Sequence, residues 1–277
     1  MTFELLSIIG LFASVLIGIS LGLIGGGGSI LTVPVLVYLF KVDPVLATAY
    51  SLFIVGLSSL IGAYPKYKQG LIDVKTALVF GIPSILAVFL TRKVLVPAIP
   101  KVLFSVGSFD ITKPLAMMIL FAILMVAASV SMIREKKGVV QNEAEERVFN
   151  YPMILLEGTV VGTLTGLVGA GGGFLIIPAL VMLSKLPMKQ AVGTSLVIIA
   201  AKSLIGFTGD VMQNAAQINW NLLWVVTSLA VIGIFIGNHL SKKIDGAALK
   251  KGFGWFVLVM GLYIIVKELF FPGTSTH

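Results

Sequence analysis

Four glycines and a serine, Gly25–Ser29, stand inside the stretch GLIGGGGSILTVP (Gly22–Pro34), directly after about twenty apolar residues. A second such stretch, GLVGAGGGFLIIP (Gly166–Pro178), lies 144 residues further on. Glycine lacks a Cβ, so a ligand can approach its backbone closely. Where a helix breaks, the first amides of its second piece lack partners and carry partial positive charge. Inside a bilayer such an end is tolerated if it lines a cavity, and it attracts anions. The chemistry on offer is anion binding by backbone amides at Gly25, Gly26, Gly27, Gly28 and Ser29, and at Gly169, Gly171, Gly172 and Gly173. Nucleotide-binding loops do not fit. The pattern G-x-G-x-x-G fails at Ile30 and at Phe174, and no Gly-Lys-Ser/Thr follows either run.

A few polar side chains join the glycines. Ser51, Thr194 and Ser195 lie on the segment after each run. They bond carbonyls of their own helix by default, or contact an oxyanion. Lys202, in SLVIIAAKSLIG, either snorkels to the membrane surface or binds an anion, and its repeat counterpart is Ser58. Glu157, six residues into its segment, is read as interfacial, as a proton carrier for coupling, or as a partner of Lys202. Asp210 is placed in an outer loop and His239 at an interface. No His, Asp or Glu cluster has metal-ligand spacing, and neither a nucleophile set nor a cofactor motif stands out, so an enzyme is not expected.

The elements that must hold these residues are membrane helices. The 277-residue chain is 57% hydrophobic and 12% charged, against about 45–50% and about 25% in a soluble domain. Apolar runs at Leu5–Ile24, Pro44–Ala63, Val74–Thr91, Thr112–Ile133, Pro152–Val168, Pro187–Gly206, Asn219–Gly237 and Gly252–Phe270 are long enough to span. The first run lacks a basic leader and a cleavage site, and is read as a retained helix rather than a signal peptide. Cysteine is absent. The net charge of +8 sits mostly in short loops, as membrane insertion requires, so nucleic acid is not the expected partner.

Sliding the chain by 144 residues makes 19 of the 41 positions from Gly22 to Gly62 identical, including Pro34 with Pro178 and Ser51 with Ser195. A shift of two more residues sets IDV at Ile72 over INW at Ile218. Two repeats, 1–133 and 151–277, are joined by a polar linker, 134–150. Each contains an apolar piece too short to cross, Ser29–Phe40 and Phe174–Ser184, which makes five segments per repeat. An odd number inverts the second copy. Eleven basic residues in the connections predicted to be cytoplasmic, against four in the outer ones, agree with an outside N-terminus. The Arg92–Lys113 connection is expected to carry an interfacial helix. Gly18 with Gly22, and Gly162 with Gly166, have the four-residue spacing of helix-packing contacts. The fold expected is an all-α polytopic membrane protein of two inverted-topology repeats, each with a broken helix, enclosing one site near the midplane.

The doubled glycine stretch, each copy followed by a Ser-bearing segment, resembles the duplicated signature of the sulfite exporter TauE/SafE family over nearly the whole chain. That resemblance implies a multi-pass transporter of the bacterial inner membrane for small sulfur-containing anions such as sulfite or organosulfonates, with export as its direction. Alternating access, with or without proton coupling, is the mechanism expected. A passive anion channel and uptake of an organic anion are the alternatives, and an assembly scaffold fits less well because it needs no polar centre.

Overall fold

Every apolar run becomes a helix, since backbone groups in hydrocarbon must bond within their own segment. The computed structural model describes residues 2–26, 28–106, 109–134, 151–169, 172–182, 186–241 and 246–270. Gly27, Gly171 and nearly all of the linker lie outside them. The first half contains α1 (Thr2–Ile24), α2 (Gly28–Pro34), α3 (Pro44–Lys68), α4 (Val74–Leu90), α5 (Val96–Ala98) and α6 (Lys113–Arg134). The second contains α7 (Tyr151–Val168), α8 (Gly173–Met182), α9 (Met188–Asn214), α10 (Trp220–Leu240) and α11 (Gly246–Phe270). Five of the described helical stretches are long and apolar enough to cross a membrane: Pro44–Lys68, Val74–Ala98, Lys113–Val130, Lys189–Met212 and Trp220–Leu240.

α2 continues as a π-helical turn, Val35–Leu39, and the whole piece folds back along α1, where Phe40 covers the bare face of Gly10. At about 1.5 Å per residue it rises roughly 18 Å, short of a crossing. α4 likewise runs through a π-helical turn, Thr91–Leu95, into α5. Among the described residues between Arg92 and Lys113, the helix up to Ala98 is the end of the Val74–Ala98 stretch and no separate interfacial helix follows. The chain instead forms an antiparallel hairpin of β1 (Val102–Val106) and β2 (Phe109–Thr112), in register Val102↔Thr112 and Val106↔Phe109. The apolar, β-branched and aromatic run VLFSV suits a strand better than a helix.

The two halves pack through each other. α3 lies antiparallel to α9 at the centre, where Gly56 meets Leu204 and Gly206 meets Leu52 and Val88. α1 packs on α10 and α7 packs on α4. Gly18 and Gly22 rest on the α10 backbone at Ala230 and Ile234, while Gly162 rests on α4 at Ser84 and Gly166 on Thr91 of the π-helical turn after it. A side chain at any of the four would drive these helices apart, which is the packing role their spacing suggests.

Small details recur at aligned positions of the two halves. Val42 N–H bonds Leu36 O at 3.0 Å, and Leu186 N–H bonds Leu180 O at 3.1 Å. The aligned pair Asp73 and Asn219 both cap helices, accepting from Thr76 N at 2.8 Å and Leu222 N at 3.1 Å. The amide of each cap is held by a hydroxyl of the other half's central helix. Thr194 Oγ1 accepts from Asp73 N at 2.9 Å, and Tyr50 Oη accepts from Asn219 N at 2.5 Å. Thr194 and Tyr50 are themselves 144 residues apart.

Candidate anion site at the glycine breaks

α1 and α7 end in the same way. Gly25 takes φ +78° and Gly169 φ +70°, and each amide bonds back four residues, to Leu21 O and Thr165 O, both at 2.7 Å. The left-handed conformation ends a helix abruptly and favours glycine. Beyond each turn the chain re-enters as a short helix, and the two turns meet. A Cβ on Gly26 would fall on the backbone of Gly173, and a Cβ on Gly173 would fall on Cα of Gly26. Gly25 faces Val192 and Ser195 of α9, whereas Gly169 faces Thr48 of α3.

Lys202 sits at this junction. It is 0% exposed, and its Nζ donates to Thr165 Oγ1 at 3.1 Å. The ammonium lies over Gly172, 2.6 Å from where a Cβ would stand, and Gly172 itself takes φ +63°. Lys202 is near the middle of the 27-residue α9, about 20 Å from either end. A lysine stem reaches only about 6 Å, and the fully buried ammonium lies inside the protein rather than at its surface. Among the described residues no carboxylate forms an ion pair with it. Half-buried Glu157 is eight residues, about 12 Å, along α7 from the threonine that Lys202 bonds, so the structure does not pair the two.

The hydroxyls divide by role. Ser195 Oγ donates to Val192 O at 2.8 Å, the bond to its own helix expected by default, and stands 3.1 Å from a Cβ position on Gly25. Ser29 Oγ donates to Gly26 O at 2.7 Å and fixes the first turn. Thr194 Oγ1 accepts the Asp73 amide at 2.9 Å. Ser51, Ser58 and Ser59 on α3 and Ser203 on α9 are fully buried and have no hydrogen-bond partner among the described residues.

A second polar cluster lies where the start of α3 meets the ends of α4 and α9. Arg92, 1% exposed, donates from Nη1 to Thr48 Oγ1 at 2.9 Å and to Asp210 Oδ1 at 3.3 Å. Its Nη2 lies against the bare face of Gly169. The pair borders a cavity of about 290 Å³ lined by Asp43, Leu46, Arg92, Lys113, Asp210 and Gln217.

A family model described as "Sulfite exporter TauE/SafE" matches residues 10–264. The chain belongs to the sulfite exporter TauE/SafE family. It is similar to the "Probable membrane transporter protein YunE" of Bacillus subtilis, 30% identical over 98% of this chain and 100% of that one. It is also similar to a "Probable membrane transporter protein" of Xylella fastidiosa, 26% identical over 91% and 92% of the two chains. The "Probable membrane transporter protein MJ0441" of Methanocaldococcus jannaschii is 27% identical over 91% and 92%. No solved structure matches the chain.

In this TauE/SafE protein the structure corrects two placements. Asp210 is not in an outer loop but inside α9, 7% exposed, and Arg92 is not in the following connection but buried within the span Val74–Ala98. Charge near the end of an apolar run reads as the run's boundary. The signal that finds this pair is opposite charge near two run ends that must neighbour one another, 118 residues apart.

Proposed function

We propose that this chain is a secondary membrane transporter which moves a small sulfur-containing anion, of the sulfite or sulfonate class, out of the cell across the inner membrane. One observation carries the reading: Lys202, buried near the middle of α9 with no carboxylate paired to it among the described residues, faces the second glycine turn where it meets the first. A lone ammonium in hydrocarbon costs several kcal/mol, and a transported anion offsets that cost. The anion is received by Lys202, by amides of the turns at Gly26, Gly28, Gly172 and Gly173, and by hydroxyls of Ser51 and Ser195. The family description supports both the sulfur anion and export.

Alternating access follows from two inverted repeats, 1–133 and 151–277, joined by the linker 134–150. The exchange of packing partners between halves supports them, α1 on α10 against α7 on α4. With the N-terminus outside, the Arg92–Asp210 cluster stands at the outer end. Glu157 is the candidate proton carrier. The test is efflux from proteoliposomes loaded with sulfite, with and without an imposed proton gradient. Saturable efflux that the gradient accelerates agrees with the proposal. Unsaturated, gradient-independent flux sinks the transporter in favour of a channel.

A further inference from the structure

The contact between Arg92 and Asp210 leaves polar atoms of both side chains unpaired among the described residues. A guanidinium presents five donors in a planar fork, and a well-matched carboxylate takes two parallel bonds from it. Here Nη1 alone reaches both Thr48 and Asp210, the latter at 3.3 Å. Nε and Nη2 of Arg92 and Oδ2 of Asp210 are buried with no partner among the described residues. A buried ion pair offsets its desolvation only with close geometry and with its remaining donors satisfied. This one has neither. Arg92 also spans two places: it borders the cavity, and its Nη2 lies on Gly169, the first residue of the second glycine turn. Lys113, on the same cavity wall, donates from Nζ to Val96 O at 2.5 Å and adds a second positive charge.

We propose that the cavity is an anion-binding vestibule, and that a small oxyanion enters it by taking the place of Asp210 on Arg92. The planar fork donates from Nη1 and Nη2 to two oxygens of a sulfonate, sulfite or carboxylate, and Nη1 is the donor that Asp210 holds here. The Asp210 carboxylate occupies Nη1 in the absence of the anion and ties α9 to the π-helical turn that follows α4. Once displaced, it no longer links the two helices, and the arginine-bound anion stands beside Gly169. The pair is therefore a gate whose own carboxylate competes with the cargo. The substrate class rests on the transport reading above; the competition between Asp210 and an anion does not depend on Lys202.

The chain has no cysteine, so Leu46→Cys on the cavity wall gives a single reporter thiol. In proteoliposomes of the full chain, methanesulfonate is expected to slow labelling of that thiol by N-ethylmaleimide. Adding Asp210→Asn lowers the half-protecting concentration about tenfold, and adding Arg92→Gln raises it at least tenfold. The double variant Arg92→Gln/Asp210→Asn leaves no bare charge to prevent folding, and it should give no protection. Equal protection with and without Asp210→Asn, or protection that persists in the double variant, overturns the vestibule. Sulfite efflux measured on the same Leu46→Cys vesicles separates the two readings. Efflux with Asp210-independent protection removes the gate alone, whereas Asp210-dependent protection without efflux removes the transport reading and leaves the gate.

Discussion

Gly26 and Gly173 meet backbone to backbone, although 147 residues separate them, and each occupies the space a Cβ of the other would need. The contact joins the two helix breaks at the centre of the bundle, so any side chain there acts on both at once.

Gly26→Leu and Gly173→Leu are therefore expected to abolish sulfite efflux, with a stability loss of about 1–3 kcal/mol from overpacking. The exposed-loop control Gly70→Ala, where no atom lies within 4 Å of the added Cβ, changes only a left-handed backbone position and costs about 1 kcal/mol without loss of efflux. Efflux and thermal unfolding in detergent check both. Normal efflux in either leucine variant removes the junction from the transport path.

Lys202→Met keeps the length and removes the charge. If the ammonium serves the anion, sulfite affinity falls at least tenfold while thermal stability holds or rises, because an unpaired buried charge is gone. A lysine kept for structure gives the opposite pattern, with lower stability and unchanged affinity. Thermal shift with and without sulfite reads both quantities.

Thr194→Val removes the acceptor for the Asp73 amide and leaves a helix-cap donor unpaired. The expected loss is about 1–3 kcal/mol of stability, with sulfite affinity within twofold of the parent. Tyr50→Phe does the same at the related position, where Tyr50 Oη receives the Asn219 amide. A selective fall in affinity on Thr194→Val would return that hydroxyl to the anion site.

Gly18→Leu and Gly162→Leu press into the α10 and α4 backbones. Both are expected to lower the folded yield together, seen as loss of the monodisperse peak in size-exclusion chromatography. The fraction that folds should keep its sulfite affinity, since neither residue touches the glycine turns.

The sequence by itself determined the helices and the duplication. Apolar runs become helices wherever the solvent offers no hydrogen bonds, and a 144-residue offset needs only the residue order. It also marked Gly25 and Gly169 as turn-formers and the Gly18 and Gly162 motifs as packing faces, because those roles depend on having no Cβ. What only the tertiary structure decided is which distant groups share a space. Lys202 could be a surface lysine or a buried one until α7 supplied Thr165 and Gly172 beside it. Thr194 resembled Ser195 in the sequence, yet the loop folding over it gave it the Asp73 amide. Arg92 and Asp210 read as loop charges near the ends of apolar runs, because each is tolerable inside the bundle only with the other, and that partnership is a long-range fact. The hairpin between Val102 and Thr112 likewise depends on a strand pairing that one-dimensional hydropathy does not express.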